Sequence, residues 1–181
     1  LSIVNVETKE QNKNVYMVYD DFCRGWENLC YVNLAGLTDI DTVGQYAFAD
    51  CHSLMEVTIK GATKLKNFGK YCFSNCNSLQ SIDFSDLNTT GSLHFTFEEG
   101  MLSYCSSLKT ITFPKLTNNV TFFGAFAYGC ANLSEINIGE SEPTKWKIDK
   151  HFQTEFDANK TMFANSVSEC PAVQNGITIT G

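Results

Sequence analysis

The sequence predicts a right-handed solenoid of short parallel strands, turns and irregular coil, in about six units of roughly 25 residues. Three observations point there. First, a nine-residue unit recurs: CHSLMEVTI from 51, CNSLQSIDF from 76, CSSLKTITF from 105, CANLSEINI from 130, and the variant WENLCYVNL from 26. Fixed self-similarity at such a period is the signature of stacked structural repeats. Second, each copy ends in apolar residues at every other position, the pattern of a strand with one buried face. Third, Asn, Ser, Thr and Gly interrupt every stretch, so no amphipathic run is long enough for an ordinary helix.

In chain order, LSIVNV (1 to 6) fits the strand pattern through Leu1, Val4 and Val6, so the chain begins inside a repeat. A second, weaker pattern lies between the copies, in VYMVYDDFC (15 to 23), IDTVGQYAF (40 to 48) and LKNFGKYCF (65 to 73). There apolar residues stand three apart and an aromatic usually closes the unit. The nine-residue copies are separated by 25, 25, 29 and 25 positions. In the copy at 51, Leu54, Val57 and Ile59 point inward and Glu56 and Thr58 outward. One repeat cannot bury such a row alone, but stacked copies form a continuous core with strands about 4.8 Å apart. Gly44 and Gly69, at equivalent places, serve a tight bend or a close approach of coils. Near 161, TMFANS places Phe163 for Phe48 and Ser166 for Cys51, and ITI (177 to 179) is the expected last strand. Between the regular units and that strand, EPTKWKIDKHFQTEFDANK (142 to 160) breaks the period and reads as an excursion from the solenoid. Residues 1–181 are therefore expected to form one domain, regular over 1–139, with an irregular insertion and a C-terminal capping repeat over 140–181.

Composition narrows the function. With 181 residues the chain can bury a core without disulfides or metals. It is 43% hydrophobic and 18% charged, and no apolar run approaches the roughly 20 residues of a membrane helix. A net charge of -7 and scattered Lys and Arg oppose binding to phosphate backbones, so nucleic acid is not an expected partner. The first residue is Leu1, with neither an initiator Met nor a signal-type segment, which reads as a mature or excised fragment.

The unit VGQYAFADCHSLMEVTI resembles the leucine-rich repeats of the BspA-like, or Treponema pallidum, type. That consensus joins an Ala-Phe pair, Cys and Leu as Ala47, Phe48, Cys51 and Leu54 do here. The resemblance covers roughly residues 15 to 139. Two units depart from it. FEEGMLSYCSSL has Leu102 in the Phe place and four extra residues before it, and FGAFAYGCANL is one residue short between Gly and Cys. The resemblance implies a leucine-rich-repeat solenoid from a cell-surface or secreted protein of host-associated bacteria or parasitic protists, with a role in adhesion.

Cys51, Cys76, Cys105 and Cys130 share one repeated slot, so they are expected to stack as core, where a thiol is inert. The expected core ladder is Phe48, Cys51, Leu54, Phe73, Cys76, Leu79, Cys105, Leu108, Cys130 and Leu133. In the first repeat Cys23 and Trp26 stand for Phe48 and Cys51, which reads as volume compensation in a packed layer. Disulfides among some of the eight cysteines are the alternative. His52 follows Cys51, but chain neighbours on an extended or turn segment point apart and cannot form an activated pair. His94 and His151 lack metal-ligand spacing, and Cys72 with Cys76 lies in an apolar coil, so no zinc site is expected. DIDTVGQYAFAD places Asp39, Asp41 and Gly44 as in a calcium loop, but Val43 blocks the fifth ligand and no Glu closes it. No phosphate-binding glycine loop or nucleophile elbow occurs. No cofactor and no enzymatic activity are expected.

The candidate binding residues lie outside. If the strands form one face, Tyr31, Glu56, Ser81, Thr110 and Glu135 make one column and Asn33, Thr58, Asp83, Thr112 and Asn137 the next. Such a polar ladder suits hydrogen bonding to a protein or a glycan, and equally a solvated face. Trp146 and Phe152 on the excursion are the other candidates, because aromatics dominate hot spots, though Trp146 equally suits a cap of the solenoid end. The sequons at Asn88, Asn119, Asn132 and Asn159 matter only in a secretory pathway. The expected function is a non-enzymatic binding module, monomeric, engaging a protein or glycan ligand at a cell surface. The alternatives are a structural spacer of a larger surface protein and a carbohydrate-binding accessory domain.

Overall fold

A computed structural model describes residues 2–5, 17–35, 37–87, 95–114, 120–122, 125–138 and 178–180. These contain strands and turns and no helix. One row of strands follows the nine-residue units: β1 (Ser2–Asn5), β3 (Leu29–Asn33), β5 (Glu56–Thr58), β7 (Ser81–Asp83), β9 (Thr110–Phe113), β11 (Glu135–Ile138) and β12 (Thr178–Thr180). A second row, β2 (Met17–Val18), β4 (Thr42–Val43), β6 (Asn67–Phe68), β8 (Phe95–Phe97) and β10 (Val120–Phe122), follows the weaker pattern. All strand pairing is parallel. The first row forms two sheets, β1-β3-β5 and β12-β11-β9-β7, and the second row forms one, β10-β8-β6-β4-β2.

A third side of each coil is a tight turn, over 20–25, 45–50, 70–75, 99–104 and 125–129. Successive turns are laddered as strands are: Asp21, Cys23 and Gly25 donate their N–H groups to Gln45, Ala47 and Ala49, and Tyr46, Phe48 and Asp50 to Lys70, Cys72 and Ser74. Two positions per turn have positive φ. One holds Asp21, Tyr46, Tyr71, Gly100 and Ala125, the other Gly25, Asp50, Asn75, Tyr104 and Gly129. A tyrosine there costs about 1–3 kcal/mol and persists because the neighbouring coils fix the backbone. Gly44 and Gly69 are different: a Cβ at Gly44 would lie 2.5 Å from the Asp20 nitrogen, and one at Gly69 2.5 Å from the Gln45 nitrogen. They permit close approach of coils, and their N–H groups reach Val18 and Val43 carbonyls at 2.8 and 2.7 Å.

The core lies between the three sides. Leu54, Val57 and Ile59 are buried and Glu56 is exposed, as the alternation of this unit predicts. Phenylalanine fills the centre: Phe48 stacks on Phe73 at 5.5 Å, Phe84 on Phe113 at 6.0 Å, and Phe97 contacts Phe68, Phe84, Phe95, Phe113 and Phe126. The last strand is Thr178–Thr180, one residue later than ITI suggests, and it pairs directly with β11 through Glu135↔Thr178. The 142 to 160 segment lies outside the described residues.

One expectation fails. Cys23 is buried in the place of Phe48, but Trp26 is 52% exposed and does not fill the cysteine place. That slot is too narrow for an indole, because in the next coil the Cys51 sulfur already sits 3.2 Å from the Cys23 carbonyl. The large side chain beside Cys23 is Phe22 instead, whose ring meets Phe48 edge-on at 6.3 Å.

Candidate functional site

Parallel pairing without a register slip, from β3 to β5 and again from β7 to β12, turns the repeat into columns. Tyr31 stands opposite Glu56, and Ser81, Thr110, Glu135 and Thr178 follow one another in line. Asn33 stands opposite Thr58, and Asp83, Thr112, Asn137 and Thr180 form the second line. The residue between each pair, Val32, Val57, Ile82, Ile111 or Ile136, is buried, so the pairs face outward together. Glu56, Ser81 and Asp83 are exposed, whereas Tyr31, Asn33, Thr58, Thr110, Thr112, Glu135 and Asn137 are half-buried.

Part of this polarity serves the solenoid itself. Asn33 Oδ1 and Asp83 Oδ1 each accept the backbone N–H two residues on, from Ala35 and Ser85, both at 2.8 Å, closing the turn after the strand. Thr58 donates to Glu56 and Thr110 to Glu135, each at 3.3 Å. Glu56, Ser81 and Asp83 therefore present the most accessible polar groups. Trp146 and Phe152 lie outside the described residues.

Behind this face, Phe48, Cys51, Leu54, Phe73, Cys76, Leu79, Cys105, Leu108, Cys130 and Leu133 are fully buried. The thiols make a bond that the sequence does not reveal. Cys51, Cys76, Cys105 and Cys130 donate to the carbonyls of Cys23, Phe48, Phe73 and Leu102 in the preceding coil, at 3.1 to 3.3 Å. Cysteine suits this slot because it is small, apolar and still a donor. Burial pushes Cys51 up to about 11, with the Asp50 charge adding to it, and Cys23 up to about 11. Hydrogen bonding with Cys105, then burial, raises Cys76, and burial raises Cys72. Thiols held neutral in this way are poor nucleophiles and poor metal ligands. The seven described cysteines are all free thiols.

His52 points away from Cys51, with Nδ1 3.1 Å from the Asn75 carbonyl. Asp39 and Asp41 pair with Lys64 and Lys66 of the next coil, at 2.5 and 3.5 Å, while Ile40 and Val43 are buried. Among the described residues no group of three His, Cys, Asp or Glu is arranged to hold a metal ion. Asn132 is exposed and donates Nδ2 to the Ser106 carbonyl at 2.7 Å, whereas Asn88, Asn119 and Asn159 lie outside the described residues.

Sequence reasoning missed a second feature, on the turn side. Tyr19, Phe22 and Trp26 are 68%, 45% and 52% exposed on the first coil. Behind them Arg24 lies over the Tyr46 ring at 4.4 Å, and Tyr46 stacks on Tyr71 at 5.2 Å. The available signal was a size mismatch, since Tyr19 and Trp26 occupy places held by Gly44 and Cys51 in the next coil.

Compared with known proteins, residues 20–147 match the BspA type leucine-rich repeat region in six copies. Among solved structures, the leucine-rich repeat protein of T. pallidum is similar, at 23% identity and a TM-score of 0.56, over 75% of this chain and 56% of that one. A leucine-rich cell surface protein of Faecalibacterium prausnitzii matches at 17% identity and a TM-score of 0.35, over 70% of this chain and 46% of that one. This chain thus spans about half the length of the solved structures it matches. No curated protein matches it.

Proposed function

Because the chain belongs to the BspA-type leucine-rich repeat family, we propose that it is a non-enzymatic binding module of a surface or secreted protein, working in adhesion to a protein on a host or neighbouring cell. The observation that carries this is the pair of outward columns, which present exposed Glu56 on one sheet and exposed Ser81 and Asp83 on the next, each sheet with strands about 4.8 Å apart over a packed core. A preformed, regularly spaced set of donors and acceptors binds without first paying to order a loop. The carboxylates of Glu56, Asp83 and Glu135 suit a partner surface that offers basic or amide donors. The module is expected to work as a monomer and without a cofactor.

A second reading, a carbohydrate-binding accessory domain, draws on the exposed Tyr19, Phe22 and Trp26. One experiment separates the two. The purified chain is screened against immobilised matrix proteins and a glycan array, together with a Ser81→Arg, Asp83→Arg variant and a Tyr19→Ala, Trp26→Ala variant. Saturable binding to a matrix protein that the first variant loses and the second keeps supports the strand face. Binding to glycans alone, lost in the second variant, replaces it with the carbohydrate reading. No binding on either surface favours a spacer that projects another domain.

A further inference from the structure

The strand face is not continuous. β5 and β7 lie side by side, yet they do not pair, and the sheet divides between them. Elsewhere on this face the bonds flanking the strands are present: Leu34 donates to Thr58 and Met55 to Cys30, and Phe84 donates to Thr112 and Lys109 to Gln80. The equivalent bonds across the break, from Ile59 to Asp83 and from Gln80 to Met55, are not formed. Ile59 is nevertheless a buried residue, and a buried backbone donor without a partner is rare in folded proteins.

On either side of the break the ladders continue. The turns preceding β5 and β7 are joined by three bonds, from Tyr46, Phe48 and Asp50, and β6 pairs with β8 through Asn67↔Thr96 and Phe68↔Phe97. One feature marks the gap. The coil that starts at β7 is the long one, since Ile82 and Ile111 are partners 29 positions apart whereas Val32 and Val57 are partners 25 apart. Behind the break, Phe84, directly after β7, packs on Phe68 of β6 as well as on Phe97 and Phe113, at 5.4, 5.2 and 6.0 Å, so the core stays joined across it.

We propose that this break is a seam at which the solenoid opens locally: β5 and β7 separate on the strand face while the turns and the second row of strands stay bonded. Opening parts Glu56 from Ser81 and Thr58 from Asp83, so the two polar columns have a movable midpoint. It also loosens, from the strand side, the packing over Cys76, which lies between the bonded turn and β7 and donates to the Phe48 carbonyl. The seam stands independently of the binding role, because it is a property of the free chain.

Two measurements on the free chain test it. In native-state hydrogen exchange the Ile59 amide is expected to exchange about a hundredfold faster than those of Leu34 and Phe84, its counterparts in neighbouring coils. In alkylation with iodoacetamide under native conditions, followed by peptide mass analysis, Cys76 is expected to react several-fold faster than Cys105 and Cys130. Its thiol is itself held in the neutral form, so faster reaction there reports opening and not thiolate character. Protection of Ile59 equal to that of Leu34 and Phe84 overturns the proposal. So does equal labelling of the three cysteines, which is the result of global unfolding.

Discussion

The inner and outer ladders of this solenoid are built from the same strands, and they obey opposite rules. Inward positions repeat in kind: Val32, Val57, Ile82, Ile111 and Ile136 follow one another, and behind them Cys51, Cys76, Cys105 and Cys130. Outward positions in the same register change freely, from Tyr31 to Glu56 and from Ser81 to Thr110. Stacking explains the difference. An inward side chain touches its counterparts above and below in a close-packed layer, so its volume is constrained on both sides. An outward side chain meets solvent and is free to be chosen for a partner.

Substitutions sharpen that contrast. The largest loss is expected from Phe97→Ala, which removes a ring shared by five other phenylalanines and should destabilise by about 3–5 kcal/mol in urea unfolding. Next comes Gly69→Ala. Its new methyl group would press on the Gln45 backbone, so about 1–3 kcal/mol is expected, read from the same unfolding midpoints. Cys76→Ala should cost about 1–3 kcal/mol because the buried Phe48 carbonyl loses its donor, and Cys76→Ser should cost less because the hydroxyl keeps it. If serine is no better than alanine, the thiol acts only by its volume. At the outer surface, Ser81→Ala should shift stability by no more than about 0.5 kcal/mol. An outward change as costly as Gly69→Ala would erase the distinction between the ladders.

The thiols add a pH test. Cys23 and Cys51 are raised from 9.0 to about 11 in the folded chain. Keeping them neutral therefore stabilises fully below pH 9, and this contribution is lost as pH rises towards 11, where the unfolded chain releases protons that the folded one retains. Melting temperature should fall through that window, and fall less in a Cys51→Ser variant.

Much of this was legible in the chain because strand alternation is a local signal. Leu54, Val57 and Ile59 announce their side of the sheet, and the repeat of that pattern announces the stack. The second row was harder. A two-residue strand such as Asn67–Phe68 has no period to detect, and its apolar partner spacing of three reads equally as coil. The positive φ of Tyr46 and Tyr71 was hidden because bulky residues seldom adopt it, and only the bonds from neighbouring coils hold it. Trp26 misled because volume compensation presumes that every position of the repeat is packed, whereas this one is open to solvent. The thiol-to-carbonyl bonds join residues 28 or 32 positions apart, a pairing that no spacing rule encodes.

The repeated cysteines are packing, buried and bonded to carbonyls of the coil before them. The most direct test is a thiol titration carried out without reductant, first on the folded chain and then in denaturant. Of the seven described thiols, at most the half-buried Cys30 is expected to react promptly when folded, and all eight thiols of the chain are expected to appear on unfolding. Fewer than eight in denaturant, or prompt reaction of Cys51 or Cys105 in the folded chain, would contradict it.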